Sequence, residues 1–160
     1  MSKKKSKYKP KGVRVDAVNW VLAGLKRIPE VAGAGTKLMI RNHASFDEIR
    51  EGRGDKDHVD TLIHMVNMTE ALAKRQLGRD WLDEIGQAQD AIYNMAMRGV
   101  NGKPFLFTGE EIGIVMQIIE LHDEQLKNCT VKLLETAIDD VAECYKKKQM
   151  RVIAPQAVAA

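Results

Sequence analysis

The sequence predicts an all-α fold, a helical bundle of about five helices with a long C-terminal helix or a broken helix pair. Three observations carry this. Apolar residues recur three and four apart through most of the chain. Aromatics make up only 5% of residues, so the core must be built from Leu, Ile, Val, Ala and Met. The 12 Gly and 4 Pro are modest in number and cluster between the periodic stretches, as turns between helices require.

Taken in order, residues 1–14 form a basic arm, expected to be disordered because MSKKKSKYKPKG has almost nothing apolar to bury. One domain is expected over 15–150, long enough for a proper core, and a flexible tail over 151–160. Within the domain, Asp16 to Arg27 reads as an amphipathic helix capped by Asp16, with Val18, Val21, Leu22 and Leu25 on one face and Trp20 beside it. Pro29 ends it, and AGAG at 32–35 is a turn. Thr36 reads as the cap of a second helix through Leu38, Met39, Asn42, Phe46 and Ile49 to Gly52. Its start, KLMIR, also suits a short strand.

GRGD at 52–55 is a break, and Asp55 caps a third helix presenting Val59, Leu62, Ile63, Val66, Thr69 and Ala73. That helix ends near Gly78, where a left-handed cap suits glycine. Asp80 opens a fourth, in which Trp81, Ile85, Ala88, Ile92 and Met95 make a stripe closed by Gly99. The loop GVNGKPFLF at 99–107 carries three apolar residues expected to tuck under the bundle.

Thr108-Gly-Glu-Glu111 is a capping box. Behind it Ile112, Val115, Ile119, His122, Leu126, Cys129 and Leu133 form a stripe that slips one position to Leu134, Ala137, Val141 and Cys144. Lys146, Lys147 and Lys148 oppose the negative end of the helix dipole. The stretch from Thr108 to Lys148 reads as the organising element of the fold. As one straight helix, about 40 residues would span roughly 60 Å, while a domain of this size is about 40 Å wide. Either the stretch breaks at Asn128-Cys129-Thr130, or a second copy covers the overhang in a homodimer.

The net charge of +3 hides an asymmetry. Residues 1–14 hold seven cations (Lys3, Lys4, Lys5, Lys7, Lys9, Lys11, Arg14) and no acid, leaving 18 basic against 22 acidic residues elsewhere. The arm would neutralise several phosphates, so it is a candidate for nucleic-acid contact; a solubilising tail is the plainer reading. No helix dense in Arg, Asn or Gln suggests reading of base sequence. The basic start is followed by no apolar run of a secretory leader, and no window reaches the ~18 apolar residues of a membrane span. With Cys129 and Cys144 as unpaired thiols, this points to a cytoplasmic protein with no membrane partner.

The familiar catalytic signatures are missing: no phosphate-cradling Gly-rich loop, HExxH, CxxC or GxSxG. His122, with Glu120 and Asp123 nearby, invites a metal-site reading, but a di-metal helical site needs Glu-x-x-His on two helices. The chain offers Glu-x-His once, so His122 reads as a core histidine bonded to a neighbour. His58 and His64, six apart, share no helical face and read as boundary residues. Cys129 and Cys144 read as small buried hydrophobes rather than reactive thiols. Glu120, Asp123, Glu124, Asp139, Asp140 and Glu143 read as a solvated face or an acidic surface for a basic partner. No cofactor or metal is implied, and a metal-dependent enzyme at His122 is the remaining catalytic alternative.

The Lys-rich start, IRNHASFDEIREGRG, TEALAKRQLGRD, FTGEE and IIELHDEQL together resemble small proteins carried by bacteriophages and prophages of proteobacteria, over nearly the whole chain. No functional residues carry over from that resemblance. The resemblance implies a context, in which a small accessory protein binds and disables or redirects a host macromolecule in the host cytoplasm. The expectation is therefore a non-enzymatic helical interaction protein with a host protein as partner. The alternative is a nucleic-acid-associated protein using the basic arm.

Overall fold

In a computed structural model the described residues are 24–30 and 33–156. The basic arm and most of the expected Asp16–Arg27 helix lie outside them, as do residues 157–160. Five α-helices are present: α1 (Ala34–Arg50), α2 (Lys56–Lys74), α3 (Leu82–Val100), α4 (Gly109–Asn128) and α5 (Val131–Lys146). The described residues form an all-α bundle, and KLMIR is helical.

Its centre is α2, which packs against all four other helices. The reason is visible in its residues. Val59, Leu62 and Val66 are buried, as their spacing predicts, but so are Met68, Ala71 and Leu72 on the other side. A helix that buries residues on two sides and leaves only a narrow polar strip to solvent belongs in the middle of a bundle. One side meets α1, α3 and α4 in a core with Phe46, Ile49, Ile85, Ile92, Met95, Ile118 and Ile119. The other side and C-terminal end meet α5 in a smaller core with Ile28, Cys129, Ala137 and Val141. Each fully buried Leu, Ile, Met or Phe contributes about 1.5–3 kcal/mol relative to exposure. The organising element is thus α2, not the stretch 108–148.

That stretch is two helices. Cys129 is extended (φ −79, ψ 141), and Thr130 caps α5 by accepting the Leu133 amide at 3.2 Å. Breaking a helix frees backbone groups that must find partners. The segment before α1 supplies them: Ile28 N–H donates to Cys129 O, and Val131 N–H donates to Lys26 O, each at 2.9 Å. At roughly 30 Å and 24 Å, α4 and α5 fit the bundle, so no overhang calls for a second copy.

Several boundaries differ from the sequence reading. The cap of α1 is Gly33, in the left-handed region at φ 73, and Thr36 lies inside the helix without capping it. Leu38, expected on the buried face, stays exposed. A 3-10 turn, Arg79–Trp81, precedes α3 and takes Trp81 off the helical period, so its side chain is 41% exposed while Ile85, Ala88, Ile92 and Met95 are buried. Neither Asp80 nor any other side chain caps α3. Gly99 does not close α3 but lies within it, for a packing reason. A Cβ there would stand 2.0 Å from the Phe105 ring, so the loop can fold back only against a glycine. Phe107 is buried and Phe105 half-buried, whereas Leu106 turns outward.

The Asp55 and Thr108 caps form as their sequences predict. Asp55 accepts the His58 amide at 3.1 Å while the His58 ring accepts the Asp55 amide at 3.2 Å. Thr108 N–H donates to Glu111 Oε2 at 2.8 Å, and the Glu111 amide donates to Thr108 Oγ1 at 3.4 Å. Glu111 also binds Arg98 of α3 through two bonds of 2.5 and 2.9 Å, which ties the start of α4 to the preceding helix.

Candidate functional site

Three of the four histidines make hydrogen bonds within the fold. His122 is buried between α2 and α4. Gln125 presents Oε1 to His122 Nδ1 at 3.3 Å, so Nδ1 carries the proton. That proton is shared with Thr69 Oγ1 at 3.1 Å, and Thr69 in turn donates to Met65 O at 2.8 Å. Gln125 completes the network by donating to Thr69 O at 3.1 Å and Leu77 O at 2.7 Å. Burial pushes the His122 pKa down to about 4, so the ring is neutral near pH 7. This network knits α2, the turn after it and α4 together. Neither Glu120 nor Asp123 bonds to the ring.

His58 belongs to the α2 cap, and His64 stands on an exposed position of α2. His43 of α1 donates from Nε2 to Asp123 Oδ2 of α4 at 2.8 Å. The other oxygen, Asp123 Oδ1, is buried without a partner among the described residues. The sequence reading missed this pair, because 80 residues separate its members and nothing local links them. Among the described residues, no three His, Cys, Asp or Glu side chains converge as metal ligands.

The other acidic residues divide. Glu124 binds Lys127 at 2.5 Å, Asp140 of α5 takes two bonds from Arg75 at 2.5 and 2.9 Å, and Glu143 lies 3.5 Å from Lys147. Glu135 and Asp139 are exposed on α5 and make no ion pair among the described residues. Cys129 is fully buried, and burial pushes its thiol up to about 11; Cys144 is half-buried.

Cys144 borders a cleft of about 510 Å³ between α2, α3 and the chain after α5, lined by Asn67, Glu70, Gln89, Tyr93 and Met150. The stretch 151–156, part of the expected flexible tail, lies along α3. Arg151 binds Asp90 at 2.7 Å and sits 4.8 Å from the centre of the Tyr93 ring. Further on, the Gln156 amide donates to the Asn101 side chain at 3.0 Å. The polar walls of the cleft bond one another: Gln89 donates to Glu70 at 3.1 Å, and Glu70 pairs with Lys74 at 2.6 Å. They leave no convergent set of groups aimed inward.

The outer part of α5 differs in kind. Ala137 and Val141 are its only fully buried residues, and α2 is the helix it packs against. At 100° per residue, Val131, Leu134, Ile138, Ala142 and Tyr145 fall within an arc of about 80°, beside the buried line rather than on it. They form an apolar flank roughly 21 Å long, of which Val131 and Leu134 are half-buried against the smaller core while Ile138 is 45% and Tyr145 50% exposed. The sequence signal was a stripe wider than one helix neighbour can cover. No helix of the described residues is long and apolar enough to cross a membrane. The basic residues Lys3, Lys4, Lys5, Lys7, Lys9, Lys11 and Arg14 lie outside the described residues. In comparisons with known proteins, no family model, curated protein or solved structure matches the chain.

Proposed function

We propose that this is a non-enzymatic helical interaction protein, of the phage accessory type its sequence resembles, that binds a host protein through the apolar flank of α5. The flank carries the reading. Single exposed apolar residues are ordinary, but Ile138, Ala142 and Tyr145 stand exposed side by side on one helix, which is a recognition feature. Residues 138, 142 and 145 stand at the i, i+4, i+7 spacing by which a helix enters a partner's groove. Ile138 and Tyr145 are the anchors, and Glu135, Asp139 and Lys146 form a polar rim, the arrangement found around interface hot spots. The non-catalytic half of the proposal is supported by the fixed roles of His122 and His58, both held by structural hydrogen bonds.

Ile138→Glu tests it. Capture from host lysate should recover a specific protein with the wild type and lose it with the variant, while thermal unfolding of the two remains alike. Recovery of the same proteins by both would count against the flank as the binding surface.

The seven cations of residues 1–14 favour a second reading, a nucleic-acid-associated accessory role. It predicts retention on DNA or RNA that weakens steeply with salt.

A further inference from the structure

We infer that the groove between α2 and α3 recognises an extended peptide carrying an arginine between apolar residues, and that residues 149–156 occupy it in cis as a displaceable strap. The inference does not rest on the α5 flank, and its probe is a defined peptide rather than a captured protein.

The course of the strap is the first ground. After α5 ends at Lys146, Lys148 takes a left-handed conformation at φ 54, which a lysine adopts at a steric cost. Beyond that turn, Arg151 pairs with Asp90 and the Gln156 amide bonds the Asn101 side chain, so the strap follows α3 toward its C-terminal end. From Asp90 to Asn101 the helix rises about 16 Å. The strap covers that distance from Arg151 to Gln156 at about 3.3 Å per residue, as an extended chain does.

Its attachment is the second ground. Among the described residues, no backbone hydrogen bond ties 150–155 to the helices; side chains hold the strap. Met150 packs half-buried against the smaller core, with Asn67 Nδ2 3.9 Å from its sulfur, and Ile153 packs half-buried against the larger one. Between them Arg151 reaches Asp90 and lies over the Tyr93 ring, while Val152 points outward, 77% exposed. A segment with so few buried contacts and no backbone pairing belongs to the part of a fold that opens locally at low cost.

The space beside the strap is the third. Packed interiors leave few voids larger than a water molecule, yet about 510 Å³ of cleft remains open here. The strap covers the groove without filling it. Ile63, Val66 and Ile92 line it with apolar surface, and Asp60 at its edge is exposed. With the strap lifted, the Asp90 carboxylate and the Tyr93 ring form a site for a guanidinium, which binds carboxylates and aromatic faces alike. Apolar seats on either side of that site fix the register of an incoming chain. Tethered, the strap acts at an effective concentration on the order of millimolar, so a free peptide meets a groove already occupied.

A fluorescently labelled peptide of the sequence Gln149–Gln156 tests this against the full chain. Arg151→Glu with Ile153→Asp should release the strap, and the released protein should bind the peptide about tenfold or more tighter than the wild type, whose competent fraction is small. Arg151→Glu alone, a change at an exposed position, should give the same direction if Ile153→Asp disturbs folding. Adding Asp90→Arg should abolish binding, and a peptide with Glu in place of Arg151 should restore it. Absence of binding to either released protein, with far-UV helical signal retained, would overturn the groove, as would binding indifferent to Asp90→Arg. Wild-type dimers that Arg151→Glu dissolves would assign the groove to the strap of a second copy and overturn the cis occupancy.

Discussion

Replacing His122 by Gln should remove a specific pH dependence of stability. In the folded protein the imidazole is shut between Thr69 and Gln125, and burial holds its pKa down to about 4. In the unfolded chain the same group titrates near its ordinary value of about 6.5. Between these values the unfolded chain takes up a proton that the folded chain refuses, so acid favours unfolding. The stability associated with neutral His122 is therefore complete above about pH 6.5, falls as pH drops toward 4, and levels off below. A gap of about 2.5 pKa units corresponds to roughly 3 kcal/mol at 1.36 kcal/mol per unit, and roughly 2–3 kcal/mol of it falls between pH 7.5 and 4.5. Urea unfolding of the wild type and His122→Gln at those two pH values gives the double difference directly. The variant starts lower, because Thr69 and Gln125 lose a partner at a cost of about 1–3 kcal/mol. Its further loss on acidification should be smaller than the wild type's by the stated 2–3 kcal/mol. Equal losses in the two proteins would refute the assignment of His122 as a buried neutral ring.

Other predictions concern the supports of the bundle and the arm. Thr108→Ala should lower stability by about 1 kcal/mol by removing the cap of α4, measured as a shift in the urea midpoint; no shift would mean the capping box contributes nothing. Gly99→Ala must displace Phe105, whose ring would lie 2.0 Å from the new Cβ. Overpacking of this kind costs about 1–3 kcal/mol, and a neutral substitution would contradict the packing described. A thiol reagent should label Cys144 in the native protein and Cys129 only on unfolding, since Cys129 is fully buried with its thiol pushed up to about 11; equally fast reaction of both would refute that. Deleting residues 1–12 should abolish any salt-sensitive retention on DNA or RNA, and unchanged retention across a salt series would eliminate the nucleic-acid reading.

The legible parts of this fold were those governed by neighbours in sequence. Thr108 and Glu111 sit three apart, so their reciprocal capping was readable, as was the weak spot at Asn128–Thr130 where the stripe slips. What escaped was set by partners far along the chain. The stripe of α2 from Val59 to Ala73 was readable, but it left out Met68, Ala71 and Leu72, which α5 and Ile28 cover. Trp81 fitted a helical period but belongs to a 3-10 turn that takes it out of phase. The His43–Asp123 pair joins α1 to α4, and no spacing rule reaches across 80 residues. The flank of α5 was hidden for a different reason. Ile138 and Tyr145 neighbour an apolar stripe, and a sequence alone does not say how wide a stripe the rest of the bundle covers.

Site-specific photo-cross-linking in host cells most directly tests the proposed partner surface of α5 centred on Ile138. A photoreactive residue placed at Ile138 should give a discrete adduct with a host protein. The same residue at Gln117, an exposed position on α4, should give none. Adducts of equal yield and identity from both positions, or none from Ile138, would contradict the account.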